Sequence, residues 1–219
     1  MSPDHAYFDR LRDTLYAAVI ADVLDAEGRP NQVLAAGIEH LAGAEVAVGR
    51  AFTIQACDEV EVEAAPYAKQ IAATDAIAPG DVVVAAAETP AESAFWGELF
   101  STAAIARGGR GAVIDGLIRD RRKIDELGFP TFGAGTRPVN SLARLTVHSY
   151  GVPVRCGGVV VRPGDLVFAE PDGTVIVPRE LEAKVIEIAL AQATKEDAMR
   201  ADIAAGSLLG DAWRKHRVL

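Results

Sequence analysis

The stretch from Gly108 to Asp120 constrains this chain more than any other. Gly108, Gly109 and Gly111 lead into Ala112-Val113-Ile114, then Asp115-Gly116, Leu117-Ile118 and the pair Arg119-Asp120. A short apolar run bounded by turn signals predicts a buried strand. Loops just past buried strands are where α/β proteins place their chemistry, so a glycine-relieved loop carrying Arg119 and Asp120 is expected here. A guanidinium grips a planar carboxylate through two parallel hydrogen bonds, and a neighbouring carboxylate is a hard oxygen ligand for a divalent cation. Together they would hold an anionic substrate against a metal. Exposed ion pairs that merely end a strand are also common, and residue types alone favour that plainer reading.

The 219 residues suit one large domain or two small ones, and half are hydrophobic, which predicts a globular chain with a substantial core. A net charge of −9 argues against a general nucleic-acid binder, yet one arginine or metal can reverse the field inside a pocket. Cys57 and Cys156 lie far apart without metal-ligand spacing and read as buried thiols in a reducing compartment. The opening Met-Ser-Pro-Asp-His lacks a basic-then-apolar signal segment, and no apolar run is long enough to span a membrane. A soluble, cytoplasmic protein with no membrane partner is the expectation.

Phe8, Leu11, Leu15, Ala18 and Val19 recur at helical spacing and predict one amphipathic helix within about 5–27, ended by Gly28-Arg29-Pro30-Asn31. Asp22 and Asp25 on it read as a solvated face or cap rather than a metal pair. Val46 to Ile54 alternates like a strand. Pro79-Gly80-Asp81 runs into a second strand, and Pro163-Gly164-Asp165 echoes it almost residue for residue. Gly97 to Arg107 predicts a helix stopped by Gly108-Gly109, and Arg121 to Leu127 a short one ended by Gly128-Phe129-Pro130. The segment 155–178 is β-rich, with Pro171-Asp172-Gly173 as a hairpin turn. Residues 179–204 form a long C-terminal helix pattern between Pro178 and Gly206. No Pro/Ser-rich linker divides the chain, so a single α/β domain over 1–219 is expected.

These segments carry a resemblance. Gly97-Glu98-Leu99, the Gly111 to Asp120 run, Leu127-Gly128-Phe129-Pro130, Ala21-Asp22-Val23-Leu24-Asp25, Gly49-Arg50-Ala51-Phe52 and the ending from Pro163 to Pro178 together resemble the regulator of ribonuclease activity A-like family. That family includes the 4-hydroxy-4-methyl-2-oxoglutarate / 4-carboxy-4-hydroxy-2-oxoadipate aldolases. Their signature is an acid, twenty residues, then Arg-Asp. Glu98 occupies the acidic position here, one methylene longer than the aspartate of those aldolases, and Arg119 and Asp120 close the motif. Another group in the family has an acid three residues after the final aspartate, where this chain has Lys123.

The resemblance implies a β/β/α sandwich of the swivelling phosphohistidine-domain type with N- and C-terminal helices, assembled as a trimer or a pair of trimers with sites between subunits. It implies that Asp120 anchors Mg2+ or Mn2+ with waters completing the shell, and that Arg119 clamps the carboxylate of a pyruvate-like 2-oxo acid. Backbone N–H groups of Gly97, Glu98, Leu99 and Phe100 would meet the same carboxylate. Glu98 would orient or deprotonate a water acting on the substrate's 4-hydroxyl. The implied activity is a metal-dependent pyruvate aldolase with oxaloacetate decarboxylation on the side. No Schiff base is required, and Lys69, Lys123, Lys184, Lys195 and Lys215 read as surface residues. Glu196, four residues before Arg200, is either an i,i+4 surface pair or, by resemblance, a contribution to a neighbouring subunit's site. His5, His40, His148 and His216 show no ligand spacing. Asp115 would support the loop or build a turn, and Arg137 rims the pocket or lies solvated. The alternatives are a non-catalytic ribonuclease-inhibitor-type binding protein and a same-fold lyase on another hydroxy acid. The intact Glu98, Arg119 and Asp120 favour an enzyme.

Overall fold

A computed structural model describes residues 3–59, 65–87 and 92–218. The predicted first helix is two: α1 (Pro3–Thr14) and α2 (Ala17–Ala26), broken at Tyr16, whose backbone is extended (φ −143°, ψ 159°). Tertiary partners impose the break. The Tyr16 hydroxyl bonds to Glu196, and the Ala17 N–H at the start of α2 donates to Glu170 Oε1 at 2.6 Å. A carboxylate at the positive end of a helix is favourable, so the interruption is supported from both sides. Asp22 and Asp25 are exposed on α2, the solvated face expected of them.

The strands are β1 (Glu39–Ala42), β2 (Ala47–Asp58), β3 (Asp81–Ala86), β4 (Ala94–Trp96), β5 (Gly111–Ile118), β6 (Thr131–Thr136), β7 (Leu145–Tyr150), β8 (Val154–Cys156), β9 (Val159–Val161), β10 (Leu166–Glu170) and β11 (Gly173–Val177). The remaining helices are α3 (Ala68–Asp75), α4 (Glu98–Ala106), α5 (Arg121–Leu127), α6 (Glu182–Ala204) and α7 (Leu209–His216). Among the described residues the large sheet runs β1-β6-β5-β3-β2-β10-β11, with β4 added to β5 and β7 to β2. Strands β2, β3, β5 and β6 pair in parallel, while β1, β7 and β10 join antiparallel. Strands β8 and β9 form a separate hairpin.

Strand β3 shows how the layers form. Val83 and Ala85 pack on one face with Ala73, Ala104, Trp96 and Ile124 from the helical side. Val82, Val84 and Ala86 pack on the other with Val154, Cys156, Val159 and Val161 of the hairpin. An apolar run buried on both faces is the mark of a parallel strand inside a sandwich. A third cluster joins α1, α2 and α6 over Val48 and Phe168. The fold is mixed α/β, with helices on one face of a curled sheet and a small β layer on the other.

The two Pro-Gly-Asp turns enter strands on opposite edges of β2. Arg50 N–H donates to the Gly80 carbonyl at 2.9 Å, and Ala51 N–H to the Asp165 carbonyl at 2.8 Å. The turn at Pro171-Asp172 closes the β10–β11 hairpin with Glu170 opposite Gly173, as the sequence predicts. Strand β2 runs past the predicted Ile54 to Asp58 because β7 pairs with its second half. Strand β5 runs through Gly116 to Ile118, with an irregularity between Ile114 and Leu117, and leaves Arg119 and Asp120 just past its end. Gly116 sits at the irregularity because a Cβ would lie 2.8 Å from the Ala87 carbonyl oxygen. Cys156 is buried and its thiol is pushed up by burial; Cys57 is only half-buried, and both are free.

Candidate active site

The exits of β4 and β5 lie side by side. Trp96 pairs with Ile118, and the Arg119 N–H donates to the Trp96 carbonyl at 2.9 Å. The residues that follow, Gly97-Glu98 and Arg119-Asp120, therefore meet at the start of α4 and α5. Gly97 brings the two segments into close approach: a Cβ there would stand 2.8 Å from Asp120 Oδ2 and 3.1 Å from Arg119 Cγ, so those side chains would have to shift. Glu98 N–H donates to Asp120 Oδ2 at 3.3 Å, and Arg119 Nε lies 3.5 Å from the same oxygen. The first turn of α4 is pinned from below. Trp96 Nε1–H donates to Ser101 Oγ at 2.9 Å, and the Ser101 hydroxyl donates to the Gly97 carbonyl at 3.1 Å.

Asp120 has a left-handed backbone (φ 61°, ψ 28°). Few non-glycine residues adopt it, aspartate more readily than most. The strain lets one residue face two ways. Its carbonyl accepts the Lys123 and Ile124 N–H groups that open α5, at 2.8 and 3.0 Å, while its carboxylate turns to the start of α4. The Asp120 side chain is 43 % exposed and the Arg119 side chain 36 %, so both are reachable from solvent.

Both line a cavity of about 360 Å³ between α3 and α4, together with Gly97, Leu99 and Phe100. Five of the six residues predicted for the site are thus gathered at one cavity. The Glu98 carboxylate is not on its wall. It accepts the Thr102 hydroxyl at 2.9 Å along α4, near Lys123. Hydrogen bonding to Glu126, then its charge and that of Glu98, raises the Lys123 ammonium. Glu196 is tied within its own chain to the Tyr16 hydroxyl and to Gln192, and burial raises its carboxyl. Arg200 makes its close ion pair with Asp197, and its charge still pulls the Glu196 carboxyl down against the burial that raises it. Arg137 pairs with Glu92 beside a different groove rather than at this cavity. Asp115 is neither loop support nor turn builder: its Oδ2 accepts the Gly157 N–H at 2.6 Å and ties β5 to the hairpin layer. Among the described residues no group of three or more His, Cys, Asp or Glu could hold a metal.

Sequence reasoning missed the opposite wall, formed by Tyr67, Ile71, Thr74 and Asp75, with Asn140 and Ser141 from the loop after β6. No local signal marks them. They arrive through long-range ties, such as Gln70 Nε2–H donating to the Phe95 carbonyl at 2.6 Å.

The family model described as RraA-like, Aldolase/RraA, matches residues 17–176. The chain belongs to this family. A Halalkalibacterium halodurans protein named "Putative 4-hydroxy-4-methyl-2-oxoglutarate aldolase" is 33 % identical over 187 residues, covering 84 % of this chain and 83 % of that one. A crystal structure of an uncharacterized protein from Pseudomonas syringae superposes with a TM-score of 0.82 at 28 % identity, covering 95 % and 96 % of the two chains. Streptomyces coelicolor RraAS2, titled an unusual member of the RNase ES inhibitor RraA protein family, gives a TM-score of 0.76 at 31 % identity over 85 % of this chain and 91 % of its own. No helix among the described residues is long and apolar enough to cross a membrane.

Proposed function

We propose that this chain is a divalent-metal-dependent lyase. On this reading it cleaves a 4-hydroxy-2-oxo acid, of the kind typified by 4-hydroxy-4-methyl-2-oxoglutarate or 4-carboxy-4-hydroxy-2-oxoadipate, to pyruvate and a second oxo compound. Oxaloacetate decarboxylation is the side activity, and the working form is a cytoplasmic trimer or pair of trimers. The observation that carries the reading is the convergence of Gly97, Arg119 and Asp120 on one cavity wall.

The donor set fits a sparsely held hard cation. The contacts of the Asp120 carboxylate to Glu98 N–H and Arg119 Nε both run through Oδ2 and are long, and the side chain is 43 % exposed, so acceptor capacity remains at the wall. One carboxylate with water and substrate oxygens around it suits Mg2+ or Mn2+ rather than a cation that needs a full protein cage. When bound, such a cation supplies Lewis-acid stabilisation of the enolate oxygen; a unit-charge pair at ~4 Å and an effective dielectric of ~20 is worth roughly 4 kcal/mol.

The chain's own residues do the rest. Arg119 holds the substrate carboxylate, and the Leu99 and Phe100 N–H groups at the start of α4 would meet the same anion, that of Glu98 being given to Asp120 Oδ2. Arg119 and Asp120 sit side by side, so carboxylate and 2-oxo oxygen are oriented together. Glu98 lies beside the cavity rather than on its wall, and a rotamer change, fast for a partly exposed side chain, would bring it to a water beside the 4-hydroxyl. Loss of that hydroxyl proton turns C4 into a carbonyl as the C3–C4 bond breaks. The electron pair goes to C3, which is then protonated to give pyruvate. Glu196 would serve a neighbour's cavity only by giving up its Tyr16 bond.

The test is pyruvate release, coupled to lactate dehydrogenase, from 4-hydroxy-2-oxo acids and from oxaloacetate, with Mg2+ and with EDTA. Turnover that EDTA abolishes is expected. Its absence across the panel would leave the inhibitor reading, which the RraAS2 likeness favours.

A further inference from the structure

Trp96 is the bulkiest fully buried side chain among the described residues, and it grips both arms of the site. Its carbonyl accepts the Arg119 N–H at 2.9 Å, which fixes where the Arg119-Asp120 arm begins. Its indole N–H donates to Ser101 Oγ at 2.9 Å, inside α4. Indole is a donor with no acceptor, so a buried tryptophan has to find an oxygen, and the equally buried Ser101 supplies it. Accepting that bond leaves the Ser101 hydroxyl proton for the Gly97 carbonyl, 3.1 Å away. The Ser101 N–H donates to the same oxygen, also at 3.1 Å.

The Gly97 carbonyl and the Glu98 N–H are two ends of one planar peptide unit. Holding the carbonyl aims the N–H, and that N–H donates to Asp120 Oδ2 at 3.3 Å. The bonds therefore run head to tail: indole N–H to serine hydroxyl, serine hydroxyl to peptide carbonyl, peptide N–H to carboxylate. A series pointing one way polarises along its length, each donor strengthened by the one before it. Without the serine hydroxyl, the Ser101 N–H alone would hold the peptide, which could then tilt about a single bond. A tilt would carry away the donor to Asp120 and turn the Leu99 and Phe100 N–H groups that follow it. We infer, within the lyase reading on which this rests, that Trp96 and Ser101 are positioning residues. Ser101 acts through the 97–98 peptide and Trp96 through Ser101, and together they register the anion-binding turn against the Asp120 carboxylate. Every link lies within one chain.

The test is the affinity for oxalate, a planar mimic of the pyruvate enolate, measured with Mg2+ by calorimetry. It compares wild type, Ser101→Ala, Trp96→Phe and the double variant, with urea unfolding to establish that each is folded. Trp96→Phe keeps the main-chain bond to Arg119 and an aromatic ring against Phe100, and removes only the indole donor. Ser101→Ala should weaken oxalate about tenfold and Trp96→Phe about threefold, the range that one hydrogen bond covers. Because both changes cut one series, the double variant should bind as Ser101→Ala does, not about thirtyfold more weakly than wild type. A merely structural role would lower the urea midpoints and leave the oxalate affinity of the folded protein as in wild type. That result, or effects that multiply in full, overturns the inference and leaves the lyase reading standing. Should Ser101→Ala not fold, Trp96→Phe decides alone: unchanged affinity overturns the inference and threefold weakening supports it. Wild type that binds no oxalate with Mg2+ overturns both.

Discussion

Asp120 and Asp165 are aspartates in tight turns at strand ends, and they use the same carboxylate in opposite ways. Asp165 is 3 % exposed, and its two oxygens accept the N–H groups of Arg162 at 2.8 Å and Arg179 at 3.1 Å. Its acceptor capacity goes to the fold, fastening the β10 entry to the chain that leaves β11. Asp120 stands on a strained backbone with long contacts to a single oxygen and an open side. A carboxylate saturated by backbone donors holds structure; one kept exposed at a local conformational cost is available to a ligand.

Substitution separates the two roles. Asp120→Asn keeps a side chain that tolerates the left-handed backbone but removes the charge. Pyruvate release should fall by about 10²–10³-fold, the loss typical of an electrostatic stabiliser, with unfolding by urea almost unchanged. Gly97→Ala pushes a methyl to within 2.8 Å of Asp120 Oδ2, so the carboxylate must move. Turnover should drop about ten- to a hundredfold at nearly constant stability. Asp165→Ala should show the reverse pattern. Leaving two N–H groups unmatched costs about 1–3 kcal/mol in urea unfolding, while turnover per folded molecule stays near wild type. Loss of turnover from Asp165→Ala without loss of stability would break the contrast.

The smallest effect lies in pH dependence. Burial lifts the carboxyls of both Asp165 and Asp81, the matching residue of the other Pro-Gly-Asp turn, above the ordinary 3.8, against the pull of their backbone donors. An acid raised on folding keeps its proton longer in the native state. Its contribution to stability is complete below 3.8 and fades as pH rises through the raised value. Replacing both with asparagine should flatten the curve of urea midpoint against pH just above 3.8, which melts on either side of that interval would detect.

Strand β5, its Arg-Asp ending, helices α4 and α5, the twin turns and the β10–β11 hairpin were legible because each is written in neighbouring residues. Turn chemistry and apolar runs need no distant partner. The break at Tyr16 was not legible, because residues 5–27 keep one helical pattern and only contacts with Glu196 and Glu170 interrupt it. Nor was the irregularity in β5 between Ile114 and Leu117, beyond which β4 and β6 still supply partners. Helix α7 and the α3 side of the cavity went unread for the same reason. At the site, Arg119 and Asp120 could be read as a pair, but not that Glu98 would rest against Thr102, a choice made by one exposed rotamer.

The hydrogen bond from Arg119 to Trp96 has an evolutionary corollary. What keeps Gly97 against Asp120 is the registration of two adjacent strands, not a tally of the residues between them. The intervening span bends back at Arg107-Gly108-Gly109-Arg110, on the opposite side of the layer. A relative that added or lost a helical turn there would alter the spacing of its signature and still present the same two residues to the same opening. Searches keyed to a fixed interval would pass over such a chain.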